Sequence, residues 1–126
     1  MKEALIVFGG GGLGAVLRYL INRYVGTAQM QFPWATLAAN VLSCLLLGFA
    51  IGWLAFRSGQ SQLLRLLFVT GFCGGLSTYS TFTLESIELY KSSMIWLFLL
   101  NISGNFILCV CAVSAGLYLA SVASRI

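Results

Sequence analysis

Four long stretches of this chain contain no charged residue. They cover residues 4–17, 24–56, 66–84 and 92–124. A helix needs about 20 apolar residues to cross roughly 30 Å of hydrocarbon, so this spacing predicts four transmembrane helices. The composition agrees, because 60% of the residues are hydrophobic and only 8% are charged. We therefore predict an all-α membrane protein.

The predicted helices cover approximately residues 3–23, 32–56, 63–90 and 94–121, within a single transmembrane domain of residues 1–126. Pro33 suits the first turn of the second helix. No linker is long enough to separate two domains. The N-terminal stretch has neither a strong basic leader nor an A-x-A-like cleavage site, so we expect it to remain in the mature chain.

The net charge of +4 is scattered over predicted helix ends. Scattered cations argue against nucleic-acid binding and favour anchoring beside the membrane. One face is predicted to carry Lys2, Arg57, Arg65 and Arg125, and the other Arg23 and Lys91, with Arg18 nearer the second. This near-balance hardly satisfies the positive-inside rule and is compatible with insertion in both orientations. Four short spans leave little room for an aqueous path, so an oligomer is expected.

Small residues are spaced for close helix packing, as in the pairs Gly10 with Gly14 and Gly48 with Gly52. The run from Gly9 to Gly14 also matches G-x-G-x-x-G, but a dinucleotide site needs a preceding strand and a later acidic residue. We therefore interpret these glycines as helix contacts.

The four cysteines all lie in apolar spans, and the chain contains no histidine. They are Cys44, Cys73, Cys109 and Cys111. The two members of the C-x-C pair would point in divergent directions on a helix. We predict that the cysteines pack in the bundle rather than bind a metal or form a disulfide.

Polar side chains interrupt the second and fourth spans. Asn40 lies in the middle of the second span, where an amide costs free energy unless it finds a partner. Two interpretations stay open: a hydrogen bond between helices, or a donor that faces an anion, with Thr36 and Ser43 on nearly the same face. Asn101 and Asn105 form a second stripe. Two stripes predict a wet or ion-bearing interior.

The third predicted helix contains the unusual stretch GFCGGLSTYSTF, residues 71–82. As one continuous helix, residues 63–90 would extend about 42 Å, which exceeds the hydrocarbon core. We therefore predict a break near Gly74–Tyr79, where glycines weaken the helix and hydroxyls satisfy the freed backbone groups. Unwound carbonyls at this depth are ligands for a small cation, so a monovalent cation site is a candidate.

Tyr79 and Phe82 lie three residues apart on one helical face, with Ser80 and Thr81 between them. Aromatic packing explains this pattern. An alternative is that the positive ring edges face an anion, while hydroxyl and amide donors replace part of its hydration shell. Both interpretations stay open.

Three motifs resemble those of the Fluc, or CrcB, family of fluoride channels, and the resemblance covers the whole chain. They are GGGLGAVLRY (10–19), FPWATLAANVLSCLLLG (32–48) and GFCGGLSTYSTFTLE (71–85). The resemblance implies a dual-topology homodimer of two antiparallel copies in a bacterial inner membrane. It also implies two fluoride pores and a structural sodium ion on the dimer axis.

Matching positions imply roles for individual residues. The backbone carbonyls of Gly74 and Ser77 from both subunits would hold the sodium ion, and Arg18 matches the arginine of the family's first helix. The predicted fluoride-pore residues are Asn40, Tyr79, Phe82, Ser80 and Thr81.

The chain departs from the family pattern at several positions. Tyr79 replaces the usual first Phe, so its hydroxyl adds a donor and bulk to the anion path, and Ser77 replaces a common Thr. Asn101 and Asn105 stand where many members carry Tyr and Ser, which leaves their role open.

The predicted function is passive, selective fluoride export that confers fluoride resistance, and the chain is not expected to be an enzyme. One alternative is a small four-helix, dual-topology multidrug exporter. Proton-coupled exporters need a titratable carboxylate inside the membrane, and the interiors of the first, second and fourth predicted helices contain none. The other alternative is one half of a heterodimeric fluoride channel.

Overall fold

The computed structural model describes residues 1–26, 31–55 and 61–124, and these residues are helical apart from short connections. The helices are α1 (Lys2–Val25), α2 (Trp34–Ala55), α3 (61–76), α4 (Tyr79–Lys91) and α5 (Ile95–Ala123). Within α3, the segments Ser61–Leu64 and Gly74–Leu76 are α-helical and Arg65–Cys73 is a π-helix. This part of the chain contains no β-strand, which confirms the predicted all-α class.

Three of the described helices are long and apolar enough to cross a membrane, namely α1, α2 and α5. The segment predicted as the third span is divided between α3 and α4, and α4 has only 13 residues. Phe56, the predicted end of the second helix, lies outside the described residues, as do Arg57 and Arg125.

Glycines allow the backbones of α1 and α3 to touch. A Cβ on Gly10 would lie 3.2 Å from Cα of Gly71, and a Cβ on Gly14 would meet O of Phe72 and lie 2.8 Å from N of Leu76. The contacts advance along both helices together, so α1 and α3 run parallel. The predicted packing role of Gly10 and Gly14 is confirmed.

Helices α2 and α5 make a similar parallel pair. A Cβ on Gly48 would meet the carbonyl oxygen of Val113, and a Cβ on Gly52 would lie 2.7 Å from Cβ of Ala120. Side chains larger than glycine at these positions would force the helices apart. The predicted packing role of this glycine pair is also confirmed.

Helix α2 runs antiparallel to α3 and α4. Ser43 Oγ donates to O of Cys73 at 2.8 Å, and Thr36 Oγ1 donates to Oε1 of Glu85 at 2.8 Å. Earlier residues of α2 therefore contact later residues of α3 and α4. With α1 parallel to α3 and α2 parallel to α5, the chain reverses direction from α1 to α2, again to α3 and α4, and again to α5.

The interruption between α3 and α4 lies at Ser77 and Thr78, within the predicted interval 74–79. The prediction that unwinding involves the glycines is wrong, because Gly71, Gly74 and Gly75 are all helical. A Cβ on Gly75 would meet the carbonyl oxygen of Gly11 in α1, so the absence of a side chain at Gly75 permits close packing of the two helices. The π-helix before the interruption was not predicted.

Candidate functional site at the helix break

Two residues with extended backbone separate α3 from α4. Ser77 has ψ 156°, and Thr78 has φ −149° and ψ 111°. Thr78 caps α4, because its Oγ1 accepts a hydrogen bond from N of Thr81 at 3.2 Å. In an uninterrupted α-helix that N–H would bind the carbonyl of Ser77. The cap therefore frees the Ser77 carbonyl at the break.

The side chain of Asn40 binds the other end of the break. Its Oδ1 accepts from N of Thr78 at 2.8 Å, and its Nδ2 makes a long contact of 3.4 Å with O of the same residue. Nδ2 also donates to Oδ1 of Asn105 at 3.1 Å. In a continuous helix the N–H of Thr78 would bind the carbonyl of Gly74, which the break leaves without that donor. Asn40 therefore joins three helices.

Arg18 reaches the break from α1. Its Nη1 donates to the freed carbonyl oxygen of Ser77 at 3.1 Å, and the side chain is half-buried. Ser77 Oγ in turn donates to O of Cys73 at 3.1 Å. The guanidinium therefore brings a positive charge to the break and satisfies one lone pair of the Ser77 carbonyl.

The carbonyls of Gly74 and Ser77 have the chemistry of a sodium site, because both are hard oxygens without their usual helical donors. One chain supplies only two such ligands. The Arg18 guanidinium occupies one lone pair of the Ser77 oxygen and adds like charge, which opposes a bound cation. The residues fit sodium if a second copy supplies two further carbonyls and the ion uses the remaining lone pairs.

The predicted aromatic pair lies directly after the break. The ring centroids of Tyr79 and Phe82 are 5.7 Å apart, with the planes tilted by 48°. Tyr79 is 79% exposed, whereas Phe82 is half-buried. Both rings line a cavity of about 410 Å³, which we call the inner cavity. Its other lining residues are Asn40, Cys44, Ser77, Thr78, Ile102, Asn105, Phe106 and Cys109.

The structure therefore brings together three predicted pore residues, Asn40, Tyr79 and Phe82. Ser80 and Thr81 do not line this cavity. Thr78 Oγ1 donates to Oγ1 of Thr81 at 2.9 Å and lies 3.4 Å from Oγ of Ser80, so the three hydroxyls form a cluster at the start of α4.

A row of hydrogen bonds leads from the break along α5. Asn105 Nδ2 donates to Oδ1 of Asn101 at 2.9 Å, and Asn101 Nδ2 donates to Oγ of Ser86 at 3.0 Å. Ser86 Oγ donates to O of Phe82 at 2.7 Å. Both asparagines are buried. These bonds satisfy the amides and fix the face of α4 that carries the aromatic pair.

A second cavity, which we call the outer cavity, opens at the ends of α1, α2 and α4 and measures about 370 Å³. Its polar lining residues are Asn22, Gln31, Glu85, Glu88 and Ser92. The fully buried Thr36 donates to Oε1 of Glu85. Oε2 of Glu85 is shielded and has no hydrogen-bond partner among the residues that the structure describes. The outer cavity therefore contains the carboxylate of Glu85. Its partner Thr36 lies one turn along α2 from Asn40.

Glu85 and Ser86 received no role from the sequence, and Thr36 was expected only to share a face of the second helix with Asn40. Two spacings in the sequence point to the contact between Thr36 and Glu85. Thr36 lies one turn before Asn40 on one helix, and Glu85 lies three residues after Phe82 on the helix opposite. Only the structure shows how far the two helices are shifted along each other, which brings Thr36 against Glu85.

The sequence of this chain matches a family model and many curated proteins. A family model described as CrcB-like protein, Camphor Resistance (CrcB), matches residues 5–117. A fluoride-specific ion channel of Flavobacterium psychrophilum is 41% identical over 95% of this chain and 98% of its own length. The protein of the same name from Hahella chejuensis is 45% identical over 87% of each chain. That from Rhodopseudomonas palustris is 41% identical over 91% of this chain and 94% of its own.

Proposed function

Because the chain belongs to the CrcB-like family, as its motifs indicated, we propose that it is a passive fluoride channel of the membrane. It lets cytoplasmic fluoride leave the cell down its electrochemical gradient and so confers fluoride resistance. The family consists of ion channels, so the chain is not an enzyme. The observation that carries the proposal is the inner cavity, which an amide donor and two aromatic rings line beside a helix break.

The inner cavity supplies groups that suit a small anion. Moving an ion of carboxylate size into low dielectric costs on the order of 20 kcal/mol, and the smaller fluoride costs more. The amides of Asn40 and Asn105 and the edges of Tyr79 and Phe82 offset part of that cost. These groups are few, and the two amides are already bonded to each other, so the ion is not held too tightly to leave.

The route of fluoride follows α2 between the two cavities. Thr36 lies beside the outer cavity and Asn40 beside the inner one, one helical turn apart. The buried amides of Asn101 and Asn105 run alongside. Glu85 at the outer end repels anions when ionised, so its hydrogen bond with Thr36 matters for entry. Ser80 and Thr81 act as hydroxyl donors outside the inner cavity, on the surface that faces a partner.

Four membrane spans and an antiparallel homodimer complete the proposal. Gly74 and Ser80 are exposed in the single chain, and so is most of Tyr79. Irregular backbone is tolerated at membrane depth only where protein or a watery cavity covers it. A second copy in the opposite orientation covers this surface, and the nearly balanced cations permit both orientations. The two-fold symmetry then gives two equivalent pores.

We further propose that a sodium ion binds between the two copies. The carbonyls of Gly74 and Ser77 from each copy would be its ligands, and the ion supplies positive charge that holds the two breaks together. Replacing sodium with N-methylglucamine is expected to weaken the dimer, measured by size-exclusion chromatography in detergent. An unchanged dimer in the absence of sodium argues against this site. It does not count against the proposal that the chain conducts fluoride.

The proposed location is the plasma membrane of a bacterium, where the chain is a multi-pass protein. The apolar helices and the family support a membrane location. The named relatives come from bacteria such as Flavobacterium and Hahella. Fluoride enters acid-stressed cells as HF and ionises in the cytoplasm, so the plasma membrane is where an exit is useful.

One half of a heterodimeric channel is the second candidate, and Tyr79 in place of the usual Phe favours it. In that case the chain conducts only with a separately encoded partner. The multidrug exporter is less well supported, because the named relatives are fluoride-specific ion channels.

Growth of a bacterium that lacks its own fluoride exporter tests the proposal in cells. Expression of this chain is expected to restore growth on fluoride, and the Phe82→Ile variant is not. Restored growth on cationic drugs but not on fluoride would instead identify an exporter of the alternative class. If this chain alone fails to restore growth on fluoride, and growth returns when a homologue is coexpressed with it, the chain is one half of a heterodimeric channel.

A further inference from the structure

Cys44 of α2 and Cys109 of α5 both lie in the wall of the inner cavity, on neighbouring helices. Both cysteines are free and half-buried. Both also line a neighbouring groove of about 370 Å³. The pair is thus accessible from two sides.

The parallel register of α2 and α5 explains why the cysteines lie together. Asn40 is hydrogen-bonded to Asn105, and Cys44 and Cys109 each follow one turn later. The close backbone contact at Gly48, one further turn along, brings the helices together at this level. The prediction that the four cysteines pack in the bundle did not extend to this arrangement, in which Cys44 and Cys109 lie together beside the predicted pore.

We propose that Cys44 and Cys109 form a two-thiol site for a soft monovalent cation such as Cu(I) or Ag(I). Thiolates select soft ions of this kind over hard cations. The described part of the chain contains no cluster of three or more His, Cys, Asp or Glu side chains that holds a metal. A four-coordinate zinc site is therefore a poor match, whereas an ion that accepts two sulfur ligands fits.

Binding of the ion replaces protons without electron transfer. Two S–H bonds break, two metal–sulfur bonds form, and two protons pass to water in the cavity. With a monovalent ion the resulting dithiolate complex carries one negative charge. That charge lies one turn from Nδ2 of Asn40, so it opposes the approach of an anion. This consequence for fluoride rests on the proposed function, whereas the binding site itself does not.

Silver binding to the purified chain tests the site directly. Ag(I) is the probe, in nitrate buffers that avoid silver chloride, and metal per chain is measured after dialysis against a competing weak thiol. We expect Cys44→Ser and Cys109→Ser each to remove one tightly bound silver ion. Cys111→Ser is the matched control, because this exposed cysteine lies on the same helix and outside the pair, and it is expected to keep that ion. Cys44→Ala repeats the test if the serine variant fails to fold.

Fluoride efflux from liposomes tests the block. Silver is expected to slow efflux by at least about tenfold in the wild type and in Cys111→Ser, with recovery after excess dithiothreitol. Equal silver binding by wild type, Cys44→Ser and Cys109→Ser would overturn the site. Binding that leaves efflux unchanged would overturn the block. Absence of efflux before silver is added would contradict the proposed function, and the binding measurement would still decide whether the site exists.

Discussion

The backbone N–H of Thr78 donates to Oδ1 of Asn40 at 2.8 Å, so a side chain of α2 takes the place of a helical carbonyl. This contact defines one end of the break, and the cap of Thr78 on Thr81 defines the other. It also leaves the carbonyl of Gly74 without its usual donor and places an amide NH₂ group in the inner cavity. Structural and pathway roles of Asn40, which the sequence left as alternatives, are therefore compatible in one side chain.

Asn40→Asp separates the two roles. The carboxylate keeps an oxygen for the Thr78 amide, but it removes the NH₂ donor and adds a negative charge beside the predicted anion path. We expect a folded dimer whose fluoride efflux falls by at least about tenfold, or about 1.4 kcal/mol. Asn40→Ala is expected to cost about 1–3 kcal/mol of stability, because the Thr78 amide loses its partner. Efflux near the wild-type rate in Asn40→Asp would mean that no anion passes this amide.

A control for this prediction is Ser103→Ala. Ser103 is exposed, and its Oγ donates to O of Leu99 within the same helix. Its removal is expected to leave both dimer and efflux near wild type.

Phe82→Ile tests the aromatic pair. The branched aliphatic side chain retains apolar bulk but has no positive ring edge to face an anion. We expect fluoride efflux to fall by more than dimer assembly does. Equal loss of both, measured by efflux and size-exclusion chromatography, would assign Phe82 to packing.

Tyr79→Phe is the companion variant, because it keeps the ring and removes only the hydroxyl. Conduction is expected to be kept or increased, since the variant restores the usual aromatic pair of the family. A loss of fluoride efflux in Tyr79→Phe would show that the hydroxyl is required on the path in this chain.

Gly14→Ala tests the contact between α1 and α3. The added Cβ would meet O of Phe72 and approach N of Leu76 to 2.8 Å, which are backbone atoms that cannot rotate away. We expect a destabilisation of about 1–3 kcal/mol and a lower yield of folded protein. Gly12→Ala is the matched control, because nothing lies within 4 Å of its Cβ position. Thermal unfolding in detergent compares the two, and equal stabilities would contradict the packing described.

Thr36→Val tests the link between the cavities. The change is nearly isosteric, but it removes the hydroxyl that donates to Glu85 at 2.8 Å and leaves a shielded carboxylate unpaired. Fluoride efflux is expected to fall at least severalfold, because the proposed route loses a hydroxyl donor between the two cavities. Thr83→Val is the control, because Thr83 donates to O of Tyr79 within its own helix. A similar efflux rate in both variants would remove Thr36 from the proposed route.

The apolar architecture was predictable because it follows from local composition. Gaps between charges located the helices, and glycine pairs such as Gly10 with Gly14 located the close contacts. The second and third motifs also predicted that Asn40, Tyr79 and Phe82 share one site, and all three line the inner cavity.

The details of the break were not predictable, because they depend on partners distant in sequence. Gly74 and Gly75 looked like the unwound residues, yet the break falls at Ser77 and Thr78, where the Asn40 side chain competes with the helix. The partner of Arg18, the carbonyl of Ser77, lies 59 residues away. Neither pairing leaves a periodic signal in one sequence.

The central claim is that this chain alone forms a selective fluoride channel. Its most direct test is fluoride efflux from liposomes that contain only the purified protein, recorded with a fluoride electrode and compared with chloride efflux from matched liposomes. The prediction is rapid fluoride release with chloride retained. Retention of both ions, or release of both at similar rates, would contradict it.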